Sequence, residues 1–421
     1  MATQSIKIET LQKKVFLIAG IIVCLILTVF FVKWCFANAI AAQADTKELA
    51  SLTISAAPND PHTHYALAVL GEMNFQPDEI SKSLSEFEQA TALAPNDYRL
   101  WMVLGKARER GGDAAGAELA LKKSLELAPN YAPVRWTLGN ILLRQGRASE
   151  AFVEIRKAAE ADKNFISPAI LSAWQVFDGN LEQARQSLGN LPKTNAGLAL
   201  FLAKQKRFEE SLEIWSAVIP AEEKSTTFKE ERAELLQEML AAKKYRSALK
   251  VQEQMSEGEN FIAGKIFNGG FEKNVKTKEA SVFEWQIAEG TQPQIGFDDK
   301  EKHSGNKSLV IIFNSGDGKE FRAVSQTIPV ESKRKYVFEI FYKADLKTGA
   351  TLKWEISDAS DGKVLAATDV ISKNSEWTNL KAEFTPAENT EAVTLRLLRE
   401  MCKSLICPIS GKVWFDDLSL N

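Results

Sequence analysis

The sequence predicts a multidomain chain in which an α-α superhelical array of helical repeats precedes an antiparallel β-sandwich. A Leu-Gly pair recurs every 34 residues, at Leu70-Gly71, Leu104-Gly105 and Leu138-Gly139. After about residue 255 this pattern gives way to alternation of apolar and polar residues, which is typical of half-buried strands. A chain of 421 residues is too long for one core, so separate domains are expected.

Residues 15–36 are predicted to form a transmembrane helix. Residues 15–32 contain no charged side chain, and at about 1.5 Å per residue such a run is near the lower limit for crossing a bilayer core. Three lysines precede it: Lys7, Lys13 and Lys14. This bias predicts that residues 1–14 are cytoplasmic. We therefore expect a single-pass inner (cytoplasmic) membrane protein whose bulk is periplasmic.

A cleaved signal peptide is the alternative for the same segment. Ala37-Asn38-Ala39 has the small residues of a processing site. The apolar run is longer than a usual signal core, and Lys33-Trp34 follows it directly, which favours a retained anchor. Both interpretations place the bulk of the chain outside the cytosol.

Residues 46–255 are predicted to form the helical array. Small residues and prolines keep the 34-residue register in further sets: Ser83, Ala117 and Ala151; Ala90, Ser124 and Ala158; Pro95 and Pro129. Small residues such as Gly105 and Ala117 let two antiparallel helices approach closely, and Pro129 ends the second helix of its pair. A helix pair with this period must stack on copies of itself to bury its apolar face.

This register resembles the tetratricopeptide repeat. The second and third repeats carry its residues at Trp101, Leu104, Gly105, Ala117, Leu121, Ser124 and Pro129, and at Trp136, Leu138, Gly139, Leu142, Ala151, Ile155 and Ala158. The resemblance implies that the first helix of each pair lines a concave groove that binds protein partners.

Two rows of residues are predicted to face this groove. Their members are Met102, Lys106 and Arg110 on one first helix, and Trp136, Asn140 and Arg144 on the next. Aromatic anchors mixed with cations suit an extended peptide or an acidic segment. The alternative is that these are solvated charges above a packed tryptophan.

The repeat pattern becomes irregular in the second half of the array. Ser167–Pro192 indicates a shortened helix pair, broken at Asp178-Gly179-Asn180. Two further pairs are predicted between Leu198 and Trp215 and between Leu235 and Gln252. Residues 256–262 are predicted to form a linker.

Residues 263–421 are predicted to form the β-sandwich. Tyr336, Phe338, Ile340 and Tyr342 lie on one face of a strand and Val337, Glu339, Phe341 and Lys343 on the other. Three short sequence motifs make the predicted fold more specific: Asn268-Gly269-Gly270-Phe271-Glu272, His303-Ser304-Gly305-Asn306, and Trp414-Phe415-Asp416-Asp417-Leu418. Together these resemble the galactose-binding-like jelly roll of many carbohydrate-binding modules.

The resemblance implies two sites in the sandwich. One is a structural calcium ion held by Glu272 and Asp416 with carbonyls near Ser304, since hard cations prefer oxygen ligands; ordinary surface acids are the alternative. The other is a glycan site in which Tyr342 and Trp354 contact sugar rings, with a packing role as the alternative. No cofactor beyond this calcium is expected.

Cys402 and Cys407 are predicted to form a local disulfide. They lie five residues apart between two predicted strands, and an exported domain favours oxidation. Over so short a loop its stabilisation is on the order of 2–3 kcal/mol at most. Cys24 and Cys35, in or beside the apolar segment, are interpreted as plain apolar residues.

Composition limits the class of function. A net charge of −3 and a pI near 5.9 argue against nucleic acid as a partner. The chain has 3 His and 4 Cys, and its sequence shows no nucleophile–base pair or phosphate-binding glycine loop. We therefore expect a protein that is not an enzyme.

The sequence thus predicts a membrane-anchored extracytoplasmic scaffold or adaptor that binds protein partners through its repeats. The sandwich suggests contact with polysaccharide and a role in exopolysaccharide or cell-surface polymer assembly or export. The alternative is a purely protein-binding assembly factor of an envelope complex, in which the sandwich is a docking domain that binds no sugar.

Overall fold

The structure is a computed structural model that describes residues 10–73, 77–218, 228–253, 261–276, 278, 280–316, 320–400 and 407–421. Within these residues, fourteen α-helices are followed by ten β-strands in two antiparallel sheets, so the predicted fold class is confirmed. The chain divides into two compact units, Met1–Thr194 and Asn195–Asn421. This division lies within the repeat array, upstream of the predicted linker at 256–262, of which only residues 261 and 262 are described.

The first helix, α1, spans Leu11–Ala41 and contains the predicted segment 15–36. It is the one helix of the described residues that is long and apolar enough to cross a membrane, with a mean hydropathy of 3.2 in its most apolar window. Its last turns pack against the two helices that follow, α2 (Lys47–Ala56) and α3 (Pro61–Glu72). One helix therefore carries both the apolar segment and the residues that pack on α2 and α3.

The regular repeats form three antiparallel helix pairs, which follow one another along the first unit. The first pair is α3 with α4 (Pro77–Leu93), the second is α5 (Tyr98–Arg110) with α6 (Ala114–Leu127), and the third is α7 (Ala132–Arg144) with α8 (Ala148–Ala161). Asp97 and Asp113 accept hydrogen bonds from the first-turn N–H groups of α5 and α6, which fixes where these helices begin.

The Leu-Gly recurrence has a steric cause. A Cβ built on Gly105 of α5 would lie 2.7 Å from Cγ of Leu121 on α6, and one built on Gly139 of α7 would lie 2.6 Å from Cγ1 of Ile155 on α8. No side chain fits at these two crossings, so the first helices of the second and third pairs need glycine where the second helix presents a large apolar residue.

The later helix pairs are shorter and less regular, as predicted. After a 3₁₀ turn at Lys163–Phe165, α9 spans Ile166–Val176 and α10 spans Leu181–Leu188. Asn180 caps α10 by accepting a hydrogen bond from the N–H of Gln183. Along the chain, α11 (Pro192–Lys204), α12 (Phe208–Ser216), α13 (Lys229–Ala241) and α14 (Tyr245–Glu253) follow.

Ten strands build the sandwich. They are β1 (Gln286–Ile287), β2 (Gln294–Asp298), β3 (Ser308–Ser315), β4 (Val324–Pro329), β5 (Tyr336–Thr348), β6 (Thr351–Asp358), β7 (Val364–Ala367), β8 (Asn374–Phe384), β9 (Ala392–Glu400) and β10 (Ile409–Leu420). Sheet one has the order β1-β4-β9-β6-β7, and sheet two has the order β2-β3-β10-β5-β8. Alternate side chains of both sheets point inward, and Trp285, Phe338, Trp354 and Phe415 are among the largest buried residues.

Helix α14 is joined to the sandwich within the second unit. The Tyr245 hydroxyl donates a hydrogen bond to the carbonyl of Ala359 at 3.1 Å, and the Arg246 guanidinium donates to both carboxylate oxygens of Glu391 at 3.1 and 3.3 Å. Burial raises the pKa of Tyr245. The last helix pair therefore belongs to the same compact unit as the strands.

Candidate functional site

The two predicted groove rows lie on successive first helices. Met102 and Lys106 are half-buried on α5, and Arg110 is exposed at its end. The Arg110 guanidinium donates hydrogen bonds to Glu72, the last residue of α3. Lys106 makes no hydrogen bond or ion pair with the described residues, so it is the uncommitted cation of this row.

The second row repeats the arrangement one helix pair later. Arg144, at the end of α7, pairs with Glu109 of α5. Both arginines therefore link neighbouring first helices, and an acidic partner would have to compete with Glu72 or Glu109. Such exposed pairs contribute about 0–1 kcal/mol each, so the competition is feasible but weakens the predicted role of Arg110 and Arg144.

Trp136 and Asn140 form the remainder of the second row. The Trp136 ring is half-buried and packs on Phe165 with ring centroids 5.4 Å apart. The Asn140 side-chain amide donates to the carbonyl of Trp136 at 2.9 Å. Trp136 is therefore a partly packed aromatic residue whose open edge remains available to a partner.

Adjacent second helices are joined by a separate charge network. Arg147, just before α8, donates hydrogen bonds of 2.6 Å to both Glu118 of α6 and Glu150 of α8, and Lys122 lies 2.7 Å from Glu118. Hydrogen bonds from Arg147 and Lys122 lower the pKa of Glu118 below its ordinary value of 4.5. This network ties the second repeat to the third.

The prediction that Tyr342 and Trp354 contact glycan is wrong, because both side chains are buried. Tyr342 is 3% exposed and its hydroxyl accepts a hydrogen bond from the N–H of Ser372 at 3.1 Å. Trp354 has no exposed surface and packs edge-on against Phe415 with ring centroids 5.4 Å apart. Their alternative role, packing, is the one the structure shows.

The outward face of sheet one offers no substitute platform. It carries ion pairs, with Arg396 lying 3.1 Å from Glu355 and Lys353 paired with Glu400. Among the described residues of its five strands the one aromatic side chain is that of Trp354. A ligand that stacks on aromatic rings therefore has no partner on this face.

Sheet two carries an aromatic group on its outward face. The imidazole of His303 stacks on the ring of Phe341 with centroids 3.8 Å apart and interplanar angle 13°, and Trp377 lies 5.7 Å from His303. Beside them, Lys343 bridges Glu301 and Glu376 at 3.0 and 3.1 Å. We call Phe341, His303 and Trp377 the outer aromatic cluster. The alternation within β5 places Phe341 on the face opposite the core, so the sequence could have indicated that this ring points outward.

Glu272 and Asp416 lie on either side of the loop that contains Ser304. Glu272 accepts hydrogen bonds from the backbone N–H and the side-chain amide of Asn306 at 2.7 and 2.9 Å. Asp416 is fully buried and accepts from the N–H groups of His303 and Ser304 at 2.9 and 3.0 Å. These hydrogen bonds lower the pKa of Glu272, whereas burial raises the pKa of Asp416.

The space beside Gly270 bears on the predicted calcium. A Cβ built on Gly270 would lie 3.7 Å from the Asp417 carboxylate, 3.9 Å from that of Asp416 and 3.9 Å from Cγ of Glu272. The acids thus surround a space without a side chain, yet the described residues contain no group of three or more His, Cys, Asp or Glu arranged to hold a metal. A calcium ion would need backbone carbonyls to complete its shell, and it stays a prediction.

One of the two cysteines of the predicted disulfide lies within the described residues. Cys407 is buried and disulfide-bonded, whereas Cys402 lies outside the described residues, so the pairing stays a prediction. Cys24 and Cys35 are free and exposed on α1.

Comparison with known families matches both parts of the chain. A tetratricopeptide repeat model matches residues 98–131 and a carbohydrate binding domain model matches residues 263–399. Families of these two kinds are in general non-catalytic. No curated protein matches the chain.

Solved structures show limited similarity. A crystal structure of MamA is 14% identical, covers 41% of this chain and 84% of that chain, and gives a TM-score of 0.28. PilF of Pseudomonas aeruginosa is 13% identical, covers 54% and 90%, and gives 0.29. A CBM4 structure is 16% identical, covers 37% and 98%, and gives 0.27. On the strength of the two family matches, the chain contains a tetratricopeptide repeat and a domain similar to carbohydrate-binding modules.

Proposed function

We propose that this protein is a membrane-tethered extracytoplasmic scaffold that holds a protein partner against its helical repeats. The observation that carries the proposal is the series of helix pairs α3–α8, which contains a matched tetratricopeptide repeat and presents the first-helix rows. Such surfaces bind extended segments through aromatic and polar anchors. Within the two rows, Lys106 and the open edge of Trp136 are the groups best placed to contact the partner.

The tether is proposed from the continuity of α1. Ala37 and Ala41 are buried, and Asn38 donates a hydrogen bond of 2.8 Å to the buried carboxylate of Asp60. A helix that leaves the bilayer and packs directly on the first helices would hold the repeats close to the membrane. We place the N-terminus in the cytosol and the rest of the chain in the periplasm, on the evidence of the lysines before the apolar run.

The sandwich supports two candidate roles. A role in exopolysaccharide or cell-surface polymer assembly or export would use the outer aromatic cluster, since rings of this kind stack on sugar faces. The second candidate is an envelope-complex assembly factor in which the sandwich docks a protein. The burial of Tyr342 and Trp354 and the ion-paired outward face of sheet one favour this second candidate.

Partner capture tests the scaffold. The full chain is purified from membranes after crosslinking, and co-purifying proteins are identified for the wild type and for Lys106→Glu. We expect the variant to lose a specific partner, because it reverses the uncommitted cation of the row. Lys163→Glu, which changes an exposed lysine outside the two rows, is the matched control. Equal recovery with both variants would count against the groove.

Topology and glycan contact need separate measurements. A reporter enzyme that is active only outside the cytosol, fused to the C-terminus, should be active; a cytosolic signal would end the extracytoplasmic assignment. Retention of the full chain on immobilised polysaccharides should fall for Trp377→Ala and persist for Tyr131→Ala, a partly exposed aromatic residue of the first unit. No retention of the wild type on neutral and acidic polysaccharides would leave the protein-docking role.

A further inference from the structure

A pocket lies between the second helices α8 and α10, away from the first-helix rows. It has a volume of about 330 Å³ and is lined by Ser149, Phe152, Arg156, Phe177, Gln183 and Gln186. This volume is at the lower end of the range for ligand pockets, and it suits one or two side chains of a peptide. All its walls belong to the first compact unit.

The pocket borders the shortest of the second helices described in the first unit. The second helices α6 and α8 each contain 14 residues, whereas α10 contains 8. The half-buried ring of Phe177 forms the apolar floor, and it packs on the buried ring of Phe152, whose centroid lies 5.5 Å away.

Arg156 supplies the charge of the pocket. In the described part of the first unit, six of the eight arginines are ion-paired with carboxylates: Arg99, Arg108, Arg110, Arg135, Arg144 and Arg147. Within the same residues Arg156 has neither a hydrogen bond nor an ion pair. A half-buried guanidinium without a carboxylate partner carries an uncompensated positive charge, and a bound anion would stabilise it.

The position of Arg156 is fixed by packing. A Cβ built on Gly189, the residue after α10, would lie 3.1 Å from Cδ of Arg156 and 3.5 Å from its Nη1. Gly189 has φ of +77°, a conformation that favours glycine. The end of α10 therefore makes room for the arginine side chain and holds it over the pocket.

We propose that this pocket binds an acidic peptide segment of a partner protein, in which an aromatic or aliphatic side chain stands beside a carboxylate. The apolar side chain packs on Phe177, which the buried Phe152 supports from behind, and the carboxylate pairs with Arg156. The Gln183 amide and the Ser149 hydroxyl are available to the peptide backbone. One guanidinium among neutral amides matches a singly charged carboxylate, whereas phosphate recognition uses clusters of arginine.

This inference rests on the proposed function, since it assumes that the repeats bind a protein, and it names the surface and the chemistry of the partner. Arg110 and Arg144 already pair with Glu72 and Glu109. The uncompensated charge at Arg156 therefore makes the α8–α10 pocket a better acceptor for an acidic segment than either of these two arginines, and Lys106 is the one cation of the first-helix rows that competes with it.

The test uses the full chain in detergent and an array of immobilised synthetic decapeptides. One central position is Asp, Asn, phosphoserine or Lys, and its neighbour is Phe, Leu or Ala. We expect at least tenfold more wild-type protein on Asp-Phe and Asp-Leu peptides than on their Asn counterparts. Arg156→Gln should remove this difference, and Arg156→Glu should transfer the preference to Lys-containing peptides. Arg99→Gln, at an arginine paired with Asp97, is the matched control and should bind as the wild type.

Other outcomes overturn the inference in distinguishable ways. Acid-selective binding that survives Arg156→Gln but is lost in Lys106→Glu assigns the peptide to the first-helix groove, which retains the proposed function and rejects this pocket. A preference for phosphoserine, or no selectivity between Asp and Asn, rejects the carboxylate partner. If no protein co-purifies in the crosslinking experiment, that result counts against the proposed function, and the peptide array is scored independently of it.

Discussion

Gly139 of α7 lies so close to Ile155 of α8 that a Cβ on the glycine would be 2.6 Å from Cγ1 of the isoleucine and 3.2 Å from the carbonyl oxygen of Ala151. Gly105 and Leu121 have the same relationship one repeat earlier. The 34-residue recurrence is therefore the spacing of helix crossings and not a bias in amino-acid composition. It identifies the close contacts on which these helix pairs depend.

Gly139→Ala should destabilise the repeats. Alanine is favoured over glycine in a helix by about 0.8–1 kcal/mol, but overpacking a filled core costs about 1–3 kcal/mol. Ile155 has no exposed surface and cannot turn aside, so we expect the steric cost to win. Loss of the helical circular dichroism signal during urea titration of the full chain measures the effect.

A second variant separates packing from propensity. In an Ile155→Ala background the obstructing Cγ1 is gone, so Gly139→Ala should become neutral or stabilising there. Leu119→Ala, at a residue that is 67% exposed, should change little. If Gly139→Ala stabilises the otherwise unaltered chain, the close crossing is not a constraint.

The pattern of the sequence was sufficient for the fold and insufficient for the ligand sites. Period-34 and period-2 patterns report which faces are buried, and the helix pairs and sheets follow from them. Alternation in β5 places Tyr342 on the same face as Phe338 and Ile340, which are 1% and 0% exposed. The alternation therefore predicted that Tyr342 is buried. The expectation of glycan contact came from the chemistry of tyrosine and tryptophan and not from this pattern.

The ion pairs between the first helices could not be predicted from the spacing of residues in the sequence. Arg110 meets Glu72, 38 residues earlier in the chain, through the stacking of α3 and α5. Spacing along one helix shows which residues share a face, but it does not show which charge of a neighbouring helix reaches that face. The same limit applies to the α8–α10 pocket, whose lining residues lie on α8, on α10 and directly after α9.

Stability of the repeats should depend on pH through Glu118. Its folded-state pKa lies below its ordinary value of 4.5 because Arg147 and Lys122 donate hydrogen bonds to it. The ionised form thus stabilises the fold above about pH 4.5, and this contribution is lost as the pH falls through the lowered folded-state value. For a network open to solvent, we expect Glu118→Gln to cost about 0.5–1 kcal/mol at pH 7.

Urea unfolding at pH 7 and at pH 3 checks this dependence. The difference in free energy of unfolding between the wild type and Glu118→Gln should shrink at the lower pH. Glu126→Gln, at a carboxylate whose side chain is 65% exposed, serves as the control. An equal difference at both pH values would mean that the loss comes from packing and not from the charge of Glu118.

The mature protein should retain its N-terminal helix. Cleavage after Ala39 would remove the buried Ala37 and the hydrogen bond from Asn38 to Asp60, and it would leave the carboxylate of Asp60 without that donor. Intact-mass measurement of the protein extracted from membranes should therefore give the unprocessed chain. A mass that begins at Ile40 would support the signal-peptide interpretation.

Calcium should raise the thermal stability of the sandwich. Asp416 has no exposed surface, and burial together with the charge of Asp417 raises its pKa, so a divalent cation would offset the cost of keeping it ionised. We expect a chelator to lower the unfolding temperature of the strand signal in the full chain, and added calcium to restore it. Asp416→Asn should abolish this response, while Asp361→Asn, in an exposed turn, should preserve it. Because the N–H donors of His303 and Ser304 already satisfy Asp416 in part, an unfolding temperature unchanged by the chelator would mean that these hydrogen bonds hold the loop without an ion.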